Sequence, residues 1–518
     1  MKRPRLPFPV VDVFAGPGGL GEGFASALGE KGEPRFESVV AIERDEASYQ
    51  TLLLRHFLRR FRRDQVPDDY YRFMAGQVTL DELYRNHRIE FDEATRSALK
   101  ISLGPDTHAD VKRIIRSKIR DERRWVLVGG PPCQAYSLVG RSRMMARPEF
   151  DRDERHTLYL EYLKLIIDHR PPVFVMENVK GLLSATIEGT STIDRIVRDL
   201  SSPKSAISGQ SKALNYRLYS LSHKSNLDEK VDPKIFVVRA EDYGVPQARH
   251  RMFIVGIRDD LKIRPNQLRP HVAPTVRTTI GGLPPIRSGL SKAADSAQSW
   301  KKEVATLGRM HIDAPITDTS LAKQIANGLT LRSILSREFP DAISSRRYSP
   351  ISSTGHPALL SLNDPRLKVL TSHEARSHMA SDLRRYMYAA IFVEVTGKSP
   401  KLADFPMALL PNHENVELGR NGKMFSDRFR VQLPDQPATT ITSHISKDGH
   451  YFIHYDPSQC RSLTVREAAR LQTFPDNYFF VGNRTSQYHQ VGNAVPPYLA
   501  RQIAEIIAEV LDSIQVRD

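Results

Sequence analysis

Val11-Asp-Val-Phe-Ala-Gly-Pro-Gly-Gly-Leu-Gly21 sets a glycine-rich turn directly after an apolar, β-branched run and directly before a helical stretch. Gly16, Gly18 and Gly21 satisfy the spacing G-x-G-x-x-G, and Glu43 closes the next strand-like run, Ser38–Ile42. Glycine permits the tight turn and lets backbone approach a ligand closely. The helix start favours an anion, and an acid after the second strand is placed to accept ribose hydroxyls. The loop alone does not separate NAD, FAD and S-adenosylmethionine (SAM), and a glycine turn can also exist without a ligand.

Further runs repeat the strand pattern. Trp125–Val128, Val173–Met176, Ile235–Val238 and Met252–Ile257 are short, β-branched and bounded by Gly, Pro or charge. Strands alternating with helical stretches such as Glu22–Leu28 predict an α/β fold with a mostly parallel sheet and helices on both faces. Between Arg55 and Gly104 no strand signal stands out. Thr79-Leu-Asp-Glu82 has capping-box spacing and Asp92–Leu103 has helical spacing, so small helices are expected there. Ser201–Ser211 reads as a mobile loop. From Lys262 to about Pro434 proline, serine and charge scatter around one helical island, Glu374–Val395, which suggests a separate, irregular domain. Leu463–Gln472 and Pro497–Leu511 then read as helices. The expected organisation is 1–261, 262–435, and a return of 436–518 to the first domain.

The chain has 518 residues, a formal net charge of +15 and two cysteines. Cys133 and Cys460 cannot make a disulfide framework or a four-cysteine zinc site, so no metal and a reducing, cytoplasmic setting are expected. No run of eighteen apolar residues predicts a membrane span. The positive charge suits a polyanionic partner. Arg55, Arg59, Arg60, Arg62 and Arg63 form one cluster and Lys112 to Arg124 another, although either could be the wet face of an amphipathic helix.

Three loops carry candidate chemistry. Gly129-Gly-Pro-Pro-Cys133 puts a cysteine at the end of a strand, on the ligand side of an open sheet, where a thiolate can be stabilised. The bland alternative is a buried structural cysteine. Glu177, ending the run Phe174-Val-Met-Glu-Asn-Val179, is a carboxylate at the same rim; partly buried, it could carry a proton to a ring nitrogen, or it could cap a helix. Arg249 and Arg251 alternate in an extended segment and so share one side, suited to a phosphate or a carbonyl oxygen, or to a surface salt bridge.

Taken together and in order, these blocks resemble the DNA cytosine-5 methyltransferase family. The matching segments are Phe14-Ala-Gly-Pro-Gly-Gly19, Pro131-Pro-Cys-Gln134, Glu177-Asn-Val179, Gln247-x-Arg249-x-Arg251, Arg466–Pro475 and Gln490-Val-Gly-Asn-Ala-Val-Pro-Pro497. The resemblance covers residues 8–258 and 436–512, and 262–434 falls where the family keeps its target-recognition domain. Tyr455 departs from the proline many relatives carry. The resemblance implies a Rossmann-like, SAM-dependent methyltransferase fold acting on double-stranded DNA. It implies Cys133 as covalent nucleophile, Glu177 as the acid at N3, and Arg249 and Arg251 at O2 and the backbone phosphate. For SAM it implies Phe14, Ala15, Gly16, Gly18 and Gly19, with Glu43 on the ribose, Asp110 on the adenine, and Pro131, Asn493 and Val495 completing the pocket. A monomer on DNA, association with the nucleoid and separate restriction or defence proteins as companions go with that family.

Four rivals remain open at this stage. A tRNA cytosine-5 methyltransferase would share the core, but its relatives carry a smaller second domain. A methyltransferase of exocyclic amines needs no thiol after Pro-Pro. A nucleotide-dependent dehydrogenase leaves Cys133, Glu177 and the arginines without a task, and a catalytically dead DNA-binding protein leaves the whole set without one. Thr396-Gly-Lys-Ser399 ends like a P-loop, but Phe392 stands where the first glycine is needed, and Cys460 reads as structural.

Overall fold

The computed structural model describes residues 6–132, 154–187, 190–208, 214–224, 232–310, 312, 315–351, 355–412, 416–422 and 426–515. Two compact units account for the chain: 1–70, 79–272 and 494–518 form the first, and 71–78 with 273–493 form the second.

The first unit is built on one sheet. Its strands are β1 (Phe8–Val13), β2 (Phe36–Glu43), β3 (Ala98–Lys100), β4 (Val126–Gly129), β5 (Val173–Val179), β6 (Tyr216–Tyr219), β7 (Val237–Arg239) and β8 (His250–Arg258). The order is β3-β2-β1-β4-β5-β8-β6, with β7 also on β8. β1, β2, β3, β4 and β5 run parallel. β8 runs antiparallel to β5, β6 and β7. Val10, Val11 and Val13 of β1 and Val40, Ala41 and Ile42 of β2 are all buried, as expected for strands covered on both faces. The covering helices include α1 (Gly19–Ser26), α2 (Glu46–Leu58), α3 (Pro105–Ile119) and α4 (Glu154–His169). α3 turns Val111, Ile115 and Ile119 inward at four-residue spacing, and α4 adds Tyr162, Leu163 and Ile166 to the same core.

This topology decides where chemistry can collect. Parallel strands deliver their C-terminal ends to one rim, so the glycine loop after β1, Glu43 of β2, Gly130–Pro132 after β4 and Glu177 of β5 all arrive there. β8 points the other way and therefore delivers its beginning, with Arg251 paired to Val179 and Phe253 to Glu177.

The C-terminal helix Pro497–Asp512 belongs to this unit and packs on α1. Gly19 and Gly23, one turn apart, make the contact surface of α1. A Cβ on Gly19 would stand 2.4 Å from the Val495 carbonyl, and one on Gly23 would stand 2.3 Å from the Ala500 Cβ. Backbone approaches backbone here, and only glycine allows it.

The sequence reading needs four corrections. The insertion does hold a strand: β3 sits at the sheet edge inside a stretch read as helical, while a helix, Arg88–Thr95, stops short of it. Ser201–Ser208 is helical rather than loop, closing Thr192–Ser201 and forming Pro203–Ser208; 209–211 lie outside the described residues. The boundary expected near 436 falls elsewhere. Residues 436–493 group with the second unit, because three buried arginines tie them to carbonyls there: Arg461 Nε to Ile286 O (3.0 Å), Arg466 Nε to Thr371 O (3.0 Å) and Arg470 Nη2 to Ser349 O (2.8 Å). Lastly, the first members of the arginine cluster are engaged inside the unit: Arg55 is buried and Arg59 and Arg60 are half-buried, while Arg62 and Arg63 are exposed. Arg55 donates to Glu22 through Nη2 (2.6 Å) and Arg59 through Nη2 (2.9 Å), while Arg60 reaches Glu37 and Arg63 the Ala25 carbonyl.

Glu22 is therefore an anchor. Burial would raise its carboxyl, but the two guanidinium groups outweigh burial and hold it down to about 2. Its contribution is complete above the ordinary carboxylate range and is lost as pH falls toward the lowered value. Replacing Glu22 by Ala leaves two buried cations facing each other. The expected cost is about 3–5 kcal/mol in denaturant unfolding at neutral pH, shrinking as the pH approaches about 2.

The second unit has its own core around Trp300, Tyr386, Met387, Ile391 and Phe405, with the helix Ala380–Thr396 at its centre. Gly397 ends that helix in the left-handed conformation, φ 68, and Ser399 Oγ accepts from Val431 N–H (3.0 Å). Thr396–Ser399 is a helix terminator, not a phosphate loop. Cys460 is buried in this core; its thiol donates to Pro457 O (3.1 Å), and burial pushes its ionisation far up.

Candidate active site

The glycine loop is held from below and left open at its end. Ala15 N–H donates to Ile42 O (3.0 Å), and Gly18 N–H closes the turn on Ala15 O (3.0 Å). Phe14, Gly16 and Gly18 all have positive φ, 59, 57 and 98. For Phe14 that is a strained conformation, of the kind that gathers at ligand sites. Gly18 is the N-cap of α1 and supplies no capping side chain, so the first N–H groups of the helix keep their capacity for an anion. Glu43 lies beside the loop. One oxygen accepts from Gly16 N–H (2.9 Å), and the other accepts from Arg44 N–H (2.8 Å) and Asp45 N–H (2.7 Å). Open helix amides, flexible glycine backbone and a carboxylate fixed next to them fit the amino-acid and ribose parts of SAM.

Glu177 stands across the rim. Its side chain keeps 14% exposure, and Oε1 lies 3.3 Å from Arg251 Nε. Burial raises its carboxyl above the ordinary range, with Arg251 and then Arg249 opposing. Arg249 is buried at 1% exposure; burial, then the like charge of Arg251, pulls its guanidinium below the ordinary value. Both arginines thus act on the one carboxyl, in keeping with their alternation along the chain.

Gly130 is the close neighbour of Glu177: a Cβ there would stand 2.8 Å from Glu177 Oε2. Asn178 donates from Nδ2 to Pro131 O (3.0 Å) and accepts from Val179 N–H at Oδ1 (2.9 Å). One buried amide thereby ties the end of β5 to the segment that leads into position 133. Cys133 itself lies outside the described residues.

Other expected residues fall as follows. Val495 meets Gly19 through its carbonyl. Asn493 is the last residue of the helix Arg484–Asn493 and of the second unit. Asp110 sits on the second turn of α3, 67% exposed and 2.6 Å from Arg113; the structure gives it no bond to the glycine loop or Glu43. Among the described residues, no group of three His, Cys, Asp or Glu is arranged to hold a metal ion, and no helix is long and apolar enough to cross a membrane. Asp12 and Asn178 carried no role in the sequence reading. Asn178 lay within a recognised block, and Asp12 could have been noticed as a lone acid in an otherwise apolar strand.

Residues 88–509 match the family model described as C-5 cytosine-specific DNA methylase. The chain belongs to that family. The methylase is 29% identical to the type II methyltransferase M.Bpa9945I of Bacillus paralicheniformis, over 97% of this chain and 99% of the relative. It is 26% identical to M.DdeI of Desulfomicrobium norvegicum, over 98% and 90%. It is 28% identical to the DNA (cytosine-5-)-methyltransferase M.ApeKI of Aeropyrum pernix, over 75% and 82%. The methylase is thus an enzyme, a DNA (cytosine-5-)-methyltransferase.

Proposed function

We propose that the enzyme methylates carbon 5 of a cytosine extruded from a specific duplex DNA sequence, through a transient bond between Cys133 and carbon 6. Carbon 5 of an aromatic pyrimidine is a poor nucleophile. A thiolate at carbon 6 breaks the aromaticity and makes carbon 5 enamine-like. Glu177 gives its proton to N3 as charge builds there, and Arg251, with Arg249 behind it, holds O2 and the backbone phosphate. SAM, when bound, supplies the methyl group; Phe14, Ala15, Gly16, Gly18 and Gly19 hold its amino-acid end, Glu43 its ribose, and Pro131, Asn493 and Val495 line the remainder. A base then removes the carbon-5 proton and the Cys133 sulfur leaves. The target atom is inaccessible in a stacked duplex, so the base swings out, at a few kcal/mol of unstacking.

The observation that carries this reading is the joint one at Glu177: a largely buried carboxyl, raised above the ordinary range by burial, between Arg251 and the Asn178-anchored segment Gly130–Pro132. The second unit, 71–78 and 273–493, is the natural holder of the residues that read base edges. We further infer a monomer on DNA, in the cytoplasm, working beside a separate restriction or defence protein as type II methyltransferases do. The test is transfer of tritiated methyl from SAM to duplex DNA or to tRNA, followed by bisulfite sequencing of DNA from cells expressing the enzyme. Methylcytosine at one sequence motif in DNA supports the proposal; label in tRNA and none in DNA refutes it.

A further inference from the structure

Beneath the glycine loop lies a carboxylate that no step above uses. Asp12 of β1 is completely buried, and neither of its oxygens has a hydrogen-bonding partner among the side chains. The donor that faces it is the N–H of Gly21, in the first turn of α1. That amide is one of the group left without a helical acceptor, since the first helical bond is Glu22 N–H to Gly18 O (2.8 Å). Gly21 has no side chain to intervene: a Cβ there would stand 3.3 Å from Asp12 Oδ2 and 3.5 Å from Arg59 Nη1. Asp12 thus sits on the inner side of the same helix start whose outer side is open to a ligand.

The charged and titratable groups around Asp12 come from four elements. Arg59, just past α2, favours its ionised form, but that guanidinium already donates to Glu22 of α1, which Arg55 of α2 also holds. Glu43 at the end of β2 opposes ionisation, and the Tyr162 hydroxyl of α4 is close enough to feel the charge. Burial is the largest influence and brings the carboxyl up to about 7.

We propose that Asp12 is a positioning residue that takes up a proton when the cofactor binds. This rests on the reading of the glycine loop as the SAM site. The helix start can favour one negative charge strongly and two poorly. With the ligand's carboxylate seated at the helix start and its cationic groups turned away, an ionised Asp12 on the inner side is a like charge in a dry environment. Protonation removes the conflict, and the neutral acid keeps an oxygen for the Gly21 N–H. The bound state therefore holds more protons than the free state above the free-enzyme midpoint. The sign follows: affinity strengthens as pH falls toward about 7 and levels off below it, where Asp12 is already protonated.

Titration calorimetry of the full chain with S-adenosylhomocysteine, at about pH 8 in phosphate and in Tris, reads the proton directly from the difference in buffer heat. More than about half a proton taken up per ligand is expected, with Kd weakening by up to about tenfold per pH unit above the midpoint. Asp12→Asn is expected to bind with no uptake and no such pH dependence. Arg59→Gln, which removes the nearest cation, is expected to move the profile to higher pH, and it carries the test if Asp12→Asn does not fold. Wild-type binding without proton uptake, or an unchanged profile in either variant, overturns the linkage while leaving the cofactor assignment standing. Absence of any saturable binding of SAM or its product takes down both.

Discussion

Replacing Cys133 by serine is expected to abolish methyl transfer to duplex DNA, by at least about 10⁴-fold, while SAM still binds. The argument is chemical. A thiol is partly ionised near neutral pH, and its thiolate is a strong nucleophile toward the carbon 6 position. A serine hydroxyl is not ionised there and is a far weaker nucleophile. The residues proposed to hold SAM do not include position 133, so binding of SAM to the variant, followed by calorimetry, distinguishes lost chemistry from a lost fold. A second measurement isolates the covalent step. DNA carrying 5-fluorocytosine at the recognition site accepts the sulfur and the methyl group but has no carbon-5 proton to release, so elimination stalls. The wild-type enzyme should then remain on the DNA through denaturing electrophoresis, and the serine variant should not. Full activity of the variant, or no adduct from wild-type enzyme given SAM and its own site, contradicts the mechanism.

The next largest effect is expected at Glu177. Glu177→Ala should slow single-turnover methylation by at least about 100-fold, the usual scale for a positioned acid. Glu177→Gln is the sharper variant: it keeps the shape and can still hydrogen-bond, but it has no proton to give. Because burial raises the carboxyl, the acid form survives to higher pH than an ordinary glutamate would allow, and the rate should fall on the alkaline side as it ionises. Arg251 pulls the other way. Arg251→Ala should therefore lower the rate and also shift the alkaline limb upward. Near-normal turnover of Glu177→Gln, or a limb that does not move in Arg251→Ala, would remove Glu177 from the role of acid.

Much of this architecture could be read from the residues because the decisive signals are local. β1, β4, β5 and β8 are β-branched runs ended by glycine, proline or charge, and the glycine loop announces both the strand before it and the helix after it. β3 escaped because three residues at a sheet edge, Ala98–Lys100, carry no period of their own; their pairing with Ala41–Glu43 is a long-range fact. Arg55 and Arg59 were read as surface because their partner, Glu22, lies 33 residues upstream of Arg55 and 37 upstream of Arg59. The block Arg466–Pro475 was read as core of the first unit, yet its buried arginines seek carbonyls at 349 and 371. Asp110 was assigned by resemblance to the family, and the structure places it exposed on the helix that begins at Pro105, beside Arg113. At the rim, sequence identified Glu177, Arg249 and Arg251 by type. It could not supply their mutual influence, nor the Asn178 bond to Pro131.

The two small residues on one side of α1 have a consequence for biosynthesis. Gly19 and Gly23 emerge from the ribosome early, but what covers them, Val495 and Ala500, is translated only after the whole second unit. Until then the nascent chain carries the sheet with a bare flank on α1. Loading of SAM at the site proposed above is therefore expected only once residues 494–512 have been made, and a chain truncated before Val495 should fail to bind it.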